Sequence, residues 1–193
     1  MKKRRKLAII VGHEESKQGA RVVAPIDTTE YLFNKAFAED NFYPMAREAG
    51  LETVIIYRDK STISKIGQYV NEWAQGVTTV AIELHLNAFD GKTQGTETLY
   101  DIDPSSSKYL AAIIQKKMAD TFSRVKGNRG IKLLDGPEDR GYVNLTSVKI
   151  PSCIVEPIFA DNELEVKLLA SLKVPYAKCL VEGVIEFFET KGL

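Results

Sequence analysis

The stretch Leu7-Ala-Ile-Ile-Val-Gly12-His13 decides the fold. Its apolar, mostly β-branched residues are typical of a strand, and they leave no polar face for solvent. Strands of this kind are covered on both faces and occupy central positions in parallel sheets. The stretch Val80-Ala-Ile-Glu-Leu-His85-Leu-Asn87 is nearly as apolar. Together the two stretches predict a layered α/β domain.

Further strands alternate with longer segments of helical periodicity. Pro44 is expected to kink or interrupt the first helix, and Pro175 to divide the last helix into two. We therefore predict a three-layer α/β fold, with a twisted, mainly parallel sheet of about six strands and helices on both faces. The predicted strands are residues 7–12, 52–58, 77–87, 95–102, 131–134 and 152–156, and the predicted helices are residues 29–49, 61–75, 105–126 and 162–189.

The composition indicates one globular domain. Of 193 residues, 44% are hydrophobic and 27% are charged, which suits a chain with a full core and excludes intrinsic disorder as its main state. Neither an internal repeat nor a Pro/Ser-rich linker divides the sequence. We predict a single domain over residues 1–193, with residues 1–6 as a basic flank.

The charge distribution bears on partners and location. The 26 basic and 26 acidic residues balance, so nucleic acid is not an expected partner. The five positive charges of residues 2–6 leave −5 on the rest, and we interpret this run as a solvated tail. The apolar run that follows is too short for a signal peptide, and none reaches the roughly 18 residues of a membrane span. We expect a monomer that is synthesised in the cytoplasm and forms no stable membrane association.

Both histidines of the chain stand where an apolar strand is predicted to end. His13 follows the first strand, and His85 lies near the end of the strand over residues 77–87. In an open α/β sheet, ligands bind in the crevice outside the carboxyl ends of the strands. Imidazole is the commonest metal ligand, although either histidine alone is more often a structural residue. Their matched positions favour a metal site.

A catalytic zinc site needs a third protein ligand, and two glutamates are candidates. Glu30 lies on the first turn of the helix that follows the His13 loop. Glu83 shares a strand face with His85 and Asn87, so it can bind the metal or orient the imidazole. A carboxylate on a first helical turn is also favoured by the helix dipole alone. The residues themselves leave these alternatives open.

Glu156 supplies a further carboxylate. It closes the apolar segment over residues 152–156 and is held in an extended conformation by Pro157. A carboxylate at the end of a buried strand is costly unless it is paired or functional. We interpret Glu156 as a general base beside a metal.

The order and spacing of these motifs resemble those of zinc-dependent N-acetylmuramoyl-L-alanine amidases of type 3, in particular the catalytic domains of phage endolysins. The resemblance extends from residue 7 to about residue 183. Two departures from the family pattern are Glu14 and Glu15, where many members have glycines, and Glu83, where many have a small polar residue. The matching motifs are Val11-Gly12-His13, Glu30-Tyr-Leu-Phe-Asn34, Glu83-Leu-His85-Leu-Asn87-Ala, Gly95-Thr-Glu97 and Ile154-Val-Glu156-Pro-Ile-Phe159.

The resemblance implies a phosphorylase/hydrolase-like fold and one Zn²⁺ per chain, bound by His13, Glu30 and His85. It implies that Glu156 is the catalytic carboxylate. The implied substrate is peptidoglycan, cut at the amide between the lactyl group of N-acetylmuramic acid and L-alanine, in phage or prophage host lysis.

Three further residues are assigned supporting roles. Asn87 and Arg129 are predicted to contact the substrate, because the stem peptide carries amides and carboxylates. Arg140, like Arg129, precedes a glycine in a loop, but Arg129 is the preferred contact. Glu83 is predicted to orient the His85 imidazole without binding the metal itself.

Other functions remain as alternatives. A zinc peptidase that cuts within the stem peptide would use the same metal and base, and a cellular autolysin would have the same chemistry. A wall-binding domain without catalysis is disfavoured, because all four expected positions are occupied. A phosphate-binding module is disfavoured because Gly12-His-Glu-Glu-Ser is not a glycine-rich loop.

Overall fold

A single six-stranded sheet forms the centre of the protein in a computed structural model that describes residues 4–58, 63–75, 77–102, 104–123 and 127–193. Lys2 and Lys3 of the predicted basic flank lie outside the described residues, as do the predicted helix ends at residues 61–62 and 124–126. In chain order the strands are β1 (Arg5–Val11), β2 (Arg21–Val22), β3 (Thr28–Thr29), β4 (Glu52–Tyr57), β5 (Thr78–Leu84), β6 (Thr96–Tyr100), β7 (Asn128–Leu133) and β8 (Ser152–Glu156).

The order of strands in the central sheet is β4-β1-β5-β8-β6-β7. All neighbouring strands are parallel except β6 and β8, which are antiparallel. The prediction of a mainly parallel sheet of about six strands is confirmed. The short strands β2 and β3 pair with each other in a separate ribbon.

Helices surround the sheet and follow the predicted order. They are α1 (Glu30–Phe37), α2 (Tyr43–Glu48), α3 (Ile63–Ala74), α4 (Ser106–Thr121), α5 (Tyr142–Ser147) and α6 (Glu163–Thr190). A π-helical segment, Ala38–Phe42, separates α1 from α2, and Pro44 lies in the first turn of α2. The predicted interruption of the first helix is therefore confirmed.

Alternate residues of β1 pack on opposite faces of the sheet. Leu7, Ile9 and Val11 belong to the larger core, which also includes buried residues of α1, α4 and α6. Ala8 and Ile10 belong to a smaller core that includes buried residues of α3. Because both faces are covered, the predicted three-layer arrangement is confirmed.

The predicted division of the last helix is wrong. α6 runs without a break over 28 residues and contains Pro175. Pro175 has no N–H, so the carbonyl of Ser171 loses its helical hydrogen-bond donor. Both residues are exposed, so water can donate to that carbonyl instead. Tyr176 and Ala177 follow directly and are buried in the core, which holds the second half of the helix in line with the first.

Among the described helices, none combines the length and the apolar character needed to cross a membrane.

We expect Pro175→Ala to stabilise the protein, because it restores one helical hydrogen bond and removes a ring clash. The gain is on the order of 2 kcal/mol, because an interior proline costs about 3 kcal/mol while its stiffening of the unfolded chain offsets part of that cost. Urea unfolding curves of both proteins measure the difference. Lys173→Ala, on the same exposed turn, should change the midpoint little; an unchanged or lower midpoint for Pro175→Ala would contradict the argument.

Candidate metal centre and active site

The pairing of β1 with β5 brings both histidines to one edge of the sheet. Val11 and Leu84 are partners in the parallel register, and Gly12 N–H donates to the Leu84 carbonyl over 3.1 Å. His13 and His85 therefore leave adjacent strands at the same carboxyl edge. Their ring centroids are 4.8 Å apart.

Glu30 lies between the two imidazoles. Its Oε2 is 3.0 Å from His13 Nε2, and its Oε1 is 2.9 Å from His85 Nδ1. Two backbone amides also donate to this carboxylate, Ala20 N–H to Oε2 over 3.0 Å and Leu86 N–H to Oε1 over 2.8 Å. Although burial alone would raise the pKa of Glu30, hydrogen bonds with the two histidines hold it well below its usual value.

The sequence segment around Glu30 explains its placement. The β2–β3 ribbon ends at Thr29, whose hydroxyl caps α1 by accepting from Leu32 N–H. Glu30 is thus the first residue of α1, and its carboxylate is buried against the ends of β1 and β5. The structure selects Glu30 over Glu83 as the carboxylate that meets both histidines.

His13, Glu30 and His85 form a donor set that suits zinc. Their ligand atoms all lie within 4.8 Å of one another. Two imidazoles and one carboxylate are a usual protein donor set for a catalytic zinc, which keeps a further position open. The three residues predicted from the sequence as metal ligands are therefore brought together, and they fit the ion.

Two glycines leave room for these ligands. A Cβ atom at Gly12 would collide with His85 Nε2, and one at Gly19 would lie 2.5 Å from Glu30 Oε2. Gly19 also has a φ of +74°, a backbone conformation that favours glycine. The sequence analysis did not identify Gly19, because an isolated glycine in a loop carries no signal of what it faces.

Glu83 contacts the opposite nitrogen of the His85 ring. Its Oε1 is 3.0 Å from His85 Nε2 and also accepts from Asn144 Nδ2 over 2.5 Å. Burial lowers the pKa of His85, but hydrogen bonds to Glu30 and Glu83 outweigh it and raise that pKa well above its usual value. Asn144 lies on the six-residue helix α5, which the sequence analysis missed because so short a helix has little periodicity.

Glu156 faces the same region from the next strand. Leu84 of β5 pairs with Val155 of β8, so His85 and Glu156 follow side by side. Burial raises the pKa of Glu156 to about 8, and its Oε2 is buried without a hydrogen-bond partner in the described part of the chain. Such a carboxyl group is available to exchange a proton with a ligand.

A cavity of about 680 Å³ joins these groups. It is lined by His13, Gly19, Ala20, Glu30, Arg58, His85, Leu86, Asn87, Ala88, Glu97, Leu99, Arg140, Gly141, Asn144, Ile154 and Glu156. The proposed ligands and the proposed base therefore open onto one space, which is large enough for part of a peptide.

The two predicted substrate contacts are placed differently. Asn87 lines the cavity and donates from Nδ2 to Glu97 Oε1 over 2.6 Å. Arg129 is not among the residues lining the cavity; its Nε donates to Glu97 Oε2 over 2.7 Å, and its guanidinium lies 5.1 Å from the centre of the Phe159 ring. Arg140, the other loop arginine, does line the cavity.

Comparisons with known proteins agree with this geometry. The catalytic domain of CwlV, an N-acetylmuramoyl-L-alanine amidase from Bacillus (Paenibacillus) polymyxa, shares the fold, with 21% identity, a TM-score of 0.77, and coverage of 95% of this chain and 98% of that one. The catalytic domain of the CD27L endolysin, which targets Clostridia difficile, is 30% identical, with a TM-score of 0.71 and coverage of 94% and 97%.

A relative of known sequence is described as an uncharacterized cell wall amidase of Bacillus anthracis, which is 27% identical over 156 residues. The match covers 72% of this chain and 28% of that protein, so this chain spans little more than a quarter of the relative's length. The model of the family described as N-acetylmuramoyl-L-alanine amidase matches residues 7–186. The chain belongs to the N-acetylmuramoyl-L-alanine amidase family, as its motifs predicted.

Proposed function

We propose that this protein is a zinc-dependent N-acetylmuramoyl-L-alanine amidase that hydrolyses the amide between the lactyl group of N-acetylmuramic acid and L-alanine of peptidoglycan. One observation carries the proposal: the cluster of His13, Glu30 and His85 shares a cavity with Glu156, whose buried Oε2 has no partner among the described residues. We further infer that residues 1–193 act as one catalytic domain, as a monomer with one zinc per chain.

His13, Glu30 and His85 would hold the ion. The nitrogens that face the Glu30 carboxylate, His13 Nε2 and His85 Nδ1, are the candidate donor atoms. When bound, zinc supplies Lewis acidity that polarises the amide carbonyl and lowers the pKa of water. Glu30 is held in place by two backbone amides, so its carboxylate needs little rearrangement to bind.

Glu156 would move the proton that amide hydrolysis requires. An amide is a poor electrophile and its amine a poor leaving group, so one group must take a proton from the attacking water and return it to the amine nitrogen. Glu156 lines the cavity, and its buried Oε2 has no competing partner in the described residues. In the metal-free protein, burial raises the pKa of this carboxyl group to about 8, so its ionised form holds a proton more tightly than an ordinary glutamate does.

Two substitutions distinguish the role of the metal ligands from the role of the base. We expect His85→Ala to lose zinc and activity together, because it removes one of three ligands. We expect Glu156→Gln to keep zinc and to lose about 10²–10⁴-fold in turnover, because only proton transfer is removed. Elemental analysis gives the zinc content, and release of L-alanine amino termini gives turnover; full turnover in either variant would exclude the assigned role.

The raised pKa of Glu156 also predicts a pH-dependent cost in stability. In the unfolded chain this group releases its proton near pH 4.5, whereas the folded metal-free protein keeps it up to about pH 8. Stability therefore falls as the pH rises through this window. Glutamine cannot titrate, so Glu156→Gln should gain on the order of 2 kcal/mol relative to wild type between pH 4.5 and 7.

Unfolding of the metal-free proteins at several pH values measures this gain. Glu189→Gln, at an exposed glutamate, is the matched control and should track wild type across the range. A constant stability difference between Glu156→Gln and wild type would show that the burial of Glu156 does not carry this cost.

We propose that Glu83 is a positioning residue for His85. By holding Nε2, it leaves Nδ1 directed at Glu30, and Asn144 fixes Glu83 in turn. Loss of such a partner typically weakens metal affinity about 10–100-fold. We expect this loss for Glu83→Ala in competition with a chelator, and none for Glu182→Ala on the exposed side of α6. Unchanged affinity would leave Glu83 with a merely structural role.

A zinc peptidase acting within the stem peptide is the competing reaction, because metal and base would be the same. Mass spectrometry of muropeptides after digestion distinguishes the two. The amidase releases free lactyl carboxyl groups and new L-alanine amino termini, whereas the peptidase creates new ends inside the peptide.

We also propose a role in phage or prophage host lysis. The support is the 30% identity to an endolysin catalytic domain over 94% of this chain. Cells that produce the protein internally should stay intact until a pore-former opens the membrane, and the wall should then be degraded. Wall degradation without a pore-former would favour a cellular autolysin.

A further inference from the structure

Two arginines of the cavity have no acidic partner. Arg58 and Arg140 both line it, and within the described part of the chain neither guanidinium forms an ion pair or a hydrogen bond. The Nε atom of Arg58 is buried. Arg58 as a whole is half-buried, and Arg140 is exposed. A buried N–H donor without a partner is costly, and the positive charges of the two arginines favour an anionic ligand.

Among the described residues, the carboxylates that line the cavity do not form ion pairs with these two arginines. Glu30 is held by the two histidines, and Glu97 is paired with Arg129 at 2.7 Å. Glu156 forms no ion pair with an arginine among the described residues, and its buried Oε2 has no partner there.

A third acid, Glu83, shares a small void with Arg58. Its Oε1 already receives Asn144 and contacts His85. No ion pair links Glu83 to Arg58 within the described chain, so Arg58 keeps a free hydrogen-bonding face.

Both arginines are associated with the short helix α5. Arg58 directly follows β4 and lines the small void together with Asn144 of α5. Arg140 immediately precedes Gly141, which caps α5, and is thus about one helical turn from Asn144. We call Arg58 and Arg140 the basic end of the cavity. Arg129 and Glu97 form a separate ion pair, in which Glu97 neutralises the charge of Arg129.

We propose that the basic end binds a free carboxylate of the stem peptide, and this inference rests on the proposed amidase function. A guanidinium matches a carboxylate through two parallel hydrogen bonds. The glutamate that follows L-alanine in the stem peptide is linked through its side chain, so its α-carboxyl group is the first free carboxylate after the scissile amide. The basic end selects this group over the corresponding carboxamide.

The test combines two substrates with two variants of the zinc-loaded protein. The substrates are muramyl peptides that differ only in a free or an amidated α-carboxyl group on the second residue. For wild type we expect a kcat/KM about 10–100-fold higher with the free carboxylate, the range of a charged hydrogen bond. Arg58→Gln and Arg140→Gln should each remove most of this preference through KM, with little change on the carboxamide and unchanged zinc content.

A second readout does not depend on turnover. Binding of the cleaved stem peptide, measured by calorimetry, should weaken about tenfold or more in both variants when the α-carboxyl group is free, and should not change when it is amidated. Arg47→Gln removes one exposed positive charge on α2 and is the matched control for net charge. It should leave both readouts at wild-type values.

Three results would overturn the inference. Wild type could cleave both peptides equally well, the arginine variants could lose activity equally on both, or Arg47→Gln could reproduce their effect. If wild type releases no L-alanine amino terminus from either peptide, the amidase proposal itself fails and the inference fails with it. The first three results leave the amidase proposal intact, so the two failures are distinguishable.

Discussion

The parallel register between β1 and β5 is the constraint on which the site depends. Val11 pairs with Leu84, so Gly12 and His85 lie side by side at the carboxyl edge of the sheet. A slip of one residue would turn each side chain to the opposite face. The slip is opposed because β1 buries Leu7 and Ile9 in one core and Ala8 and Ile10 in the other. The packing of the whole sheet therefore fixes the distance between the two histidines.

The site itself is less stably built than the core around it. Glu30 is stabilised by four hydrogen-bonding partners, but Glu156 keeps a buried oxygen with none among the described residues. An isolated buried carboxyl group is costly, and protonation reduces that cost, which explains why its pKa rises to about 8. Glu156 thus combines a buried oxygen that lacks a partner among the described residues with a place on the cavity. Stability and reactivity are opposed at this residue.

Sequence patterns predicted those features of the fold that long periodic segments determine. The strands and the site residues His13, His85 and Glu156 follow from apolar runs that end in a polar residue. Glu30 was a candidate ligand from its place on the first helical turn, and the motif resemblance favoured it over Glu83. Contacts between distant short segments were not predictable, because nothing local marks them. Gly19 shows this limit, since its closeness to Glu30 depends on the tertiary path of the loop. Pro175 shows another, because burial of the following turn overrides the local preference against proline.

The short helix α5 links the histidine network to Arg140, although His85 and Arg140 are far apart in the sequence. Its Asn144 donates to Glu83, and Glu83 in turn contacts His85 Nε2. The residue that precedes its cap, Arg140, lines the same cavity. Because α5 carries a contact to the histidine network and directly follows the loop of Arg140, a shift of α5 would move both together. The orientation of His85 and the position of Arg140 are therefore physically coupled through one element.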